Sequence, residues 1–453
     1  MIGFAEDREY MEELSEICRE NYEIPKKAFE TGNVKRGLRN SDGTGVVAGV
    51  TKLGLVHGYI VDEGEKEPVE GKLYYRGYDV EDLIKGYVAE NRYGFEEVSF
   101  ILMFGRLPSS DELERYKELL THNTRLPANF TEDVIMRAPS NNIMNKMQQA
   151  VLALYSYDED AESISLQNVI RQSIQLTARV PVIAAHAYSV KRHTFENDSL
   201  LLHYPLPGLS TAQNFLRILG KDVSFDEDEA KLLDLCLILH AEHGGGNNST
   251  FTCRVLSSSG TDTYAAIAGA IGSLKGPRHG GANIKVEDMF DDIKYNVKDW
   301  DDDEEVADYL GKILRKEAGA DKSGLIYGMG HAIYTESDPR AKMLKRYAKN
   351  LANEKGYSDE FALLEKVEKL SPAVFASVTG HEKVICANVD MYSGLVYRMM
   401  GIPRELYTPL FATARITGWC AHRLEELLTG GKIVRPAYKT IWSKRPYVGI
   451  DER

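Results

Sequence analysis

The sequence is poor in the features that mark several functional classes. Its five cysteines, Cys18, Cys236, Cys253, Cys386 and Cys420, are widely spaced, odd in number and form no CxxC pair. That pattern builds neither a disulfide framework nor a zinc ribbon, and the five read as buried free thiols in a reducing compartment. Long apolar runs are absent: the longest, "YAAIAGAIGSL", falls far short of the roughly 20 residues that span a bilayer. Positive charge is in deficit, with a formal net charge of −13. A duplex or single-stranded nucleic acid needs a basic face, so it is excluded as the main partner. A small anion is not, because a few arginines in a cleft override the sign of a whole surface. Phosphate-cradling loops are missing as well, since "GMG" and "TGGKI" lack both the GxGxxG and the GxxxxGK[ST] spacing. The opening "MIGFAEDREYMEEL" is acidic and amphipathic, unlike a signal or transit peptide, and the expectation is a cytoplasmic protein without a membrane segment.

What remains is an ordinary globular composition over 453 residues, 43% apolar and 27% charged, enough for two lobes or for one domain carrying an insertion. Helical periodicity dominates. Ser109 with Glu112, and Ser224 with Glu227, form Ser-x-x-Glu capping boxes ahead of apolar-periodic runs. "TDTYAAIAGAIGSLKG" reads as a small-residue helix suited to close packing. Strand signals are confined to "GLVHGYIVDEG" and "GKLYYRGYDV", short alternating stretches beside glycine turns. The fold class is therefore mainly α with a small N-terminal β element. After Asn283 the composition turns acidic and lysine-rich, and it returns to apolar, small-residue helices near Asn388. The shift predicts a large helical domain, 1–281 with 389–453, and an inserted small helical domain, 282–388, that closes over a cleft. The acidic run around Trp300–Glu305 reads as a solvated face.

Three histidines sit beside glycine. His279 lies within "LKGPRHGGAN", His331 within "YGMGHAIYTESDPR" and His243 at the end of a predicted helix in "HAEHGGGNNS", followed by Asn247 and Ser249. His243 reads as a cation well placed at a helix C-terminus; metal ligation together with His240 is the weaker alternative, because HxxH has no third-ligand pattern beside it. Arg340 follows an Asp338-Pro339 helix start, where the dipole favours an anion rather than a cation; a bound anion would meet the arginine and the free N–H groups together. Arg415 interrupts an apolar helix, and Arg435 precedes a proline on extended chain. Each of these arginines reads alone as a salt-bridge partner. Asp390, in "ANVDMYSG", reads either as a helix cap or as a base at a hinge. The glycines after His279 are expected to admit a ligand against the ring, so valine at Gly280 or Gly281 should lower turnover and leave the fold intact.

In order along the chain, "LYYRGYDVEDLI", "FGRLPSSDEL", "HAEHGGGNNST", "GPRHGGAN", "GMGHAIYTESDPRAK", "NVDMYSGLVYRMMGIP", "FATARITGW" and "RP" resemble the citrate synthase family, from about Gly45 to Pro436. The resemblance implies a two-lobed, all-helical fold and the condensation of acetyl-CoA with oxaloacetate and water to citrate and CoA. It implies that Asp390 and His279 enolise the acetyl group and that His331 polarises the oxaloacetate keto oxygen. His243, Arg340, Arg415 and Arg435 would hold the oxaloacetate carboxylates, Arg435 across the interface of a homodimer, with Asn247 and Ser249 in support. No cofactor and no metal are implied. Many relatives carry basic residues just after the "GxGH" histidine, where CoA phosphates bind; "AIYTES" has none, which leaves Lys342, Lys345 and Arg346 on the next helix as candidates. Competing readings are 2-methylcitrate synthase, using propionyl-CoA through the same residues, a metal-dependent hydrolase built on His240, Glu242 and His243, and a catalytically silent homologue.

Overall fold

The computed structural model describes residues 8–40, 43–62, 65–220, 222, 224–382 and 384–453. The chain divides into two units, Thr51–Ile433 and the pair of terminal arms, Met1–Val50 with Val434–Arg453. None of the arms' described residues is buried, and their regular structure is limited to short elements such as the helices Arg8–Tyr22 and Lys26–Thr31. Cys18 lies on the first of these and is exposed, a correction to the reading of five buried thiols; the other four cysteines are buried and free.

The larger unit is helical and centred on Tyr407–Leu428, a helix buried over almost its whole circumference between Tyr407 and Leu424. Trp419 is wholly buried on it, a gain of about 5 kcal/mol at the usual coefficient for an aromatic side chain of this size. Helices Leu166–Glu196, Phe95–Phe104, Glu227–His240, Asn248–Ser258 and Thr263–Leu274 pack around it. The small-residue character of Thr263–Leu274 is needed for this: a Cβ at Gly269 would sit 2.3 Å from Leu256, and one at Gly272 would sit 2.4 Å from Gln148. Among the described residues no helix is long and apolar enough to cross a membrane.

The Ser109–Glu112 capping box forms as expected. The Ser224 box does not: Asp226 caps Glu227–His240 instead, accepting from the N–H groups of Asp228 and Glu229. A carboxylate two residues closer to the helix start meets the free N–H groups and the helix dipole together, which a serine cannot match. The acidic run splits into helices Ala282–Asn296 and Asp303–Leu314, and Asp303 pairs with Lys366 and Lys369 on Ser358–Thr379.

The β element is one three-stranded antiparallel sheet, Gly54–Asp62, Glu65–Tyr75 and Tyr78–Asp79, with a bulge between His57 and Tyr59. It serves as a platform for the segment that carries His331. A Cβ at Gly58 would lie 2.7 Å from the Tyr334 backbone, and one at Gly71 would lie 1.9 Å from the Ser337 carbonyl. Gly71 N–H donates to Ser337 Oγ at 3.1 Å. Backbone meets backbone at both positions, so neither tolerates a side chain.

Candidate active site

Four stretches of chain converge on the site. The first runs off the end of Glu227–His240. The helix stops at His240, so His243 lies beyond it on irregular chain, not at the helix terminus that the sequence predicts. The stop is local: Gly244 turns with φ +84° and its N–H donates to Glu242 Oε1 at 2.6 Å. His243 is buried, its ring edge-on to His331 with centroids 5.1 Å apart, and its Nε2 has no partner. Burial, then the charges of Arg340 and Arg415, hold its pKa well below the ordinary value.

The second stretch positions His279. Ser249, in the first turn of Asn248–Ser258, donates its backbone N–H to His279 Nε2 at 3.3 Å, and its Oγ lies 3.0 Å from the same nitrogen. Ser249 Oγ is itself held by Asn247 Oδ1 at 2.8 Å and by the Trp419 indole N–H at 3.3 Å. A backbone N–H can only donate, so Nε2 is an acceptor and the ring proton resides on Nδ1. Burial, with Arg415 nearby, pushes the ring down to about 4. At neutral pH His279 is thus an uncharged donor through Nδ1.

The turn after His279 overturns one expectation. A Cβ at Gly280 would fall 2.2 Å from the Leu274 carbonyl and 2.8 Å from Thr408, whose hydroxyl donates to the Gly280 carbonyl at 2.8 Å. Gly280 is required by the protein's own packing, and valine there would break the turn rather than merely obstruct a ligand. Gly281 is less constrained, with Pro277 backbone atoms 3.3 Å from the same point.

The third stretch pairs two segments of chain and so brings His331 toward Asp390. Met329 bridges Ala387, Gly330 N–H donates to the Cys386 carbonyl at 2.7 Å, and Asn388 N–H donates to the Gly328 carbonyl at 2.8 Å. Gly328 and Gly330 adopt φ of +83° and +86°, which reserves both positions for glycine. His331 Nδ1 accepts from the N–H groups of Ile333 and Tyr334, each at 3.1 Å. Its proton is therefore on Nε2, and burial followed by Arg340 pushes the ring down to about 4.

Asp390 is the first residue of Asp390–Met399, and it does not cap it; the N-cap is Val389, without a side-chain bond. Asn388 Oδ1 takes the Asp390 N–H at 3.0 Å and its amide donates to the Gly330 carbonyl at 2.9 Å. The Asp390 carboxylate is thereby left without a hydrogen bond among the described residues, and burial, partly offset by Arg340, pushes it up to about 6.

The arginines divide. Arg340 is buried and forms a two-pronged bond to Asp338, Nε–Oδ1 3.0 Å and Nη2–Oδ2 2.7 Å, so the salt-bridge reading holds for it. Asp338 also caps the helix by accepting from Arg340 N–H and binds Val389 N–H at 3.2 Å. Burial alone would lower the guanidinium, but Asp338 raises it above its ordinary value. Arg415 is 0% exposed and, among the described residues, has no carboxylate on its fork. Its Nε donates to the His240 carbonyl at 2.5 Å, its plane lies over Phe411, and both Nη1 and Nη2 are buried without partners among the described residues. Burial lowers it to about 10, with Glu242 pulling the other way. Arg435 belongs to the terminal arms and is exposed. Of the proposed CoA cations, Lys342 is paired with Glu70 and Lys345 with Glu368, whereas Arg346 stacks on Tyr347.

The described residues gather no group of three or more His, Cys, Asp or Glu fit to hold a metal; His240 Nε2 is bonded to the Tyr397 hydroxyl at 2.9 Å and Glu242 Oε1 to His422 Nε2 at 2.9 Å. Sequence reasoning missed Asp338 as an arginine partner, and it missed Asn388, Trp419 and the Glu242–His422 pair. Only Asp338 carried a local signal, its place two residues before an arginine. The assembled site offers two uncharged N–H donors of fixed tautomer, a carboxylate titrating near neutrality and a buried cation awaiting an anion. That set suits proton abstraction next to a carbonyl, followed by attack on a second, anionic carbonyl compound.

Comparison with known proteins agrees with this chemistry. The family model described as "Citrate synthase, C-terminal domain" matches residues 42–437. A citrate synthase of Corynebacterium glutamicum is 34% identical over 389 residues, 84% of this chain and 82% of that protein. A 2-methylcitrate synthase of Shewanella oneidensis is 35% identical over 383 residues, 84% of this chain and 90% of that protein. The citrate synthase of Thermoplasma acidophilum, solved as a ternary complex with carboxymethyl coenzyme A and oxaloacetate, superposes with a TM-score of 0.73 at 27% identity, covering 93% of this chain and 99% of the other. The chain belongs to the citrate synthase family and is an enzyme of that acyl-transferring type.

Proposed function

We propose that this chain condenses acetyl-CoA with oxaloacetate and water to give citrate and CoA, the opening reaction of the tricarboxylic acid cycle, in the cytoplasm and as a homodimer. The observation that carries the reading is Arg415, a wholly buried guanidinium whose two terminal nitrogens have no partner among the described residues. A buried charge left unpaired costs several kcal/mol (about 3–5 when one partner of a pair is removed), so a site that retains one is built for an anion that arrives later. A carboxylate of oxaloacetate fits the arginine fork. In this reading His243 and Arg340 assist, and Arg435 of the second subunit completes the clamp.

The Asp390 carboxylate takes a proton from the acetyl methyl group while His279 Nδ1–H donates to the thioester oxygen as the enol forms. The enol carbon then attacks the oxaloacetate keto carbon. His331 Nε2–H polarises that keto oxygen and protonates the alkoxide that develops. Neutral imidazoles serve here because both rings titrate far below neutrality, at about 4. Water then cleaves the citryl thioester and releases CoA. Residues 282–388 would act as a small lobe over the large lobe of 1–281 and 389–453, keeping water out until the carbon–carbon bond exists. These side chains supply the proton transfers of enolisation and condensation, so neither step calls for a cofactor or a metal. Lys342, Lys345 and Arg346 remain the candidates for the CoA phosphates; Lys342 and Lys345 would first have to exchange their present glutamate partners.

A second reading, 2-methylcitrate synthesis from propionyl-CoA, is favoured by the similarity to the Shewanella oneidensis protein. One extra methylene in an acyl pocket is worth only about 1–3 kcal/mol, so both activities are compatible with this site. Thiol release with oxaloacetate and either acyl-CoA separates them. Oxaloacetate-dependent release that is faster with acetyl-CoA supports the first reading, a propionyl-CoA preference supports the second, and no release with either contradicts both.

A further inference from the structure

The helix that carries Arg415 carries a second polar line on the same face, Gly418 and His422, three and seven residues on, and it leads to Glu425 and Glu426. Glu242 lies against this line. Its Oε1 accepts from His422 Nε2 at 2.9 Å and from Gly244 N–H at 2.6 Å, and its Oε2 is buried with no partner among the described residues. Two glycines leave the room it occupies: a Cβ at Gly418 would lie 2.9 Å from Oε2, and one at Gly54 would lie 3.1 Å from Oε1. His422 is fixed from behind, because Arg254 Nε–H donates to its Nδ1 at 3.0 Å and leaves Nε2 as the ring's N–H. Arg254 is fixed in turn by Glu425 and by Glu426, the latter at 2.8 Å. An arginine, a histidine and two glycines thus hold one wholly buried carboxylate in place.

Burial alone would raise Glu242, but His422, Arg415 and the Gly244 N–H hold it below the ordinary carboxylate range, so it is ionised. Glu242 is also the leading acid opposing the desolvation of Arg415, yet it makes no bond to that guanidinium. It can offset part of the buried positive charge without occupying the fork.

We propose that Glu242 is an off-site counter-charge that sets how tightly the Arg415 pocket holds a dicarboxylate, a role that rests on the reading above that such an anion binds there. The carboxylate makes the empty site tolerable and, by the same field, weakens the bound anion, so that product can leave. Glu242 is a positioning and tuning residue rather than a catalytic one.

The sign of the effect distinguishes this role from a structural one. Glu242→Gln can keep both hydrogen bonds, because both are accepted by Oε1, and removes the charge while placing an amide N–H2 where Oε2 was. Calorimetric titration at pH 7 should then show oxaloacetate and citrate each bound about three- to tenfold more tightly than by the parent, with a lowered thermal midpoint, since Arg415 loses its opposing charge. Glu242→Met, a second neutral variant of similar volume, should also bind more tightly, and Glu242→Asp, which keeps the charge but shortens the side chain, should not. Equal or weaker binding by the neutral variants, or tightening by Glu242→Asp, overturns the inference while the parent still binds oxaloacetate and releases thiol. A parent that binds no oxaloacetate instead overturns the underlying reading, and the inference with it.

Discussion

Arg340 and Arg415 are both buried arginines near the same histidines, yet they differ in one respect: Arg340 brings its own carboxylate and Arg415 does not. Asp338 answers Arg340 with two prongs, caps the helix and ties Val389, so that the pair welds the His331 segment to the start of Asp390–Met399. Arg415 is held by one carbonyl and an aromatic face, and its fork is left open. The first arginine is satisfied within the protein; in the proposed function the second is completed by substrate. Burial of a charge is therefore no guide to its role until its partners are counted.

The comparison breaks most visibly at Arg415 itself. Arg415→Met should lower kcat/KM for oxaloacetate by about three orders of magnitude, as expected when a desolvated carboxylate loses its charged partner. The same variant should melt at the parent temperature or above it, because a buried charge without a partner is removed. Calorimetry of the folded variant checks the second half. Asp338→Asn reverses the pattern: it leaves Arg340 buried against a neutral amide and should cost about 3–5 kcal/mol of stability, read by denaturant unfolding. The two variants together separate the receiving cation from the building one.

A smaller effect concerns protons. In the proposed mechanism Asp390 must be ionised to accept one, and its pKa is raised to about 6, so activity should fall about tenfold per pH unit below that value and level off above it. His279 and His331 titrate near 4 and add no limb in the neutral range. A kcat/KM profile with an acid limb near 6 and a large loss of activity in Asp390→Asn bear this out, whereas activity that stays flat down to about pH 4.5, or survives in Asp390→Asn, would place the controlling proton elsewhere. The smallest change is Ser249→Ala, which loses the Oγ contact but keeps the N–H that fixes the His279 tautomer. Turnover should drop about fivefold, the worth of one hydrogen bond.

What could be read in advance was local or patterned. The Ser109 box, the strand Gly54–Asp62, the end of Glu65–Tyr75 from Gly71 on and the small-residue helix Thr263–Leu274 follow from spacing and residue size alone. His279, His331, His243, Asp390 and Arg415 stood out as polar groups in glycine-rich or apolar surroundings, and the resemblance to a family ordered them. Their partners did not stand out, because they come from distant chain: His422 lies 180 residues from Glu242 and Trp419 lies 170 from Ser249. Gly280 was misread because the way the turn folds back on itself is not visible in the sequence. Its neighbour is a carbonyl inside the protein, at Leu274, and not a ligand. Asp226 displaced Ser224 through a competition between two adequate caps that spacing alone does not rank.

The most direct test is calorimetric titration of oxaloacetate into the parent and into Arg415→Met under the same conditions. The account predicts saturable binding to the parent and none detectable to the folded variant. Equal binding by both would contradict it, and the open fork of Arg415 would then have to be explained without a dicarboxylate.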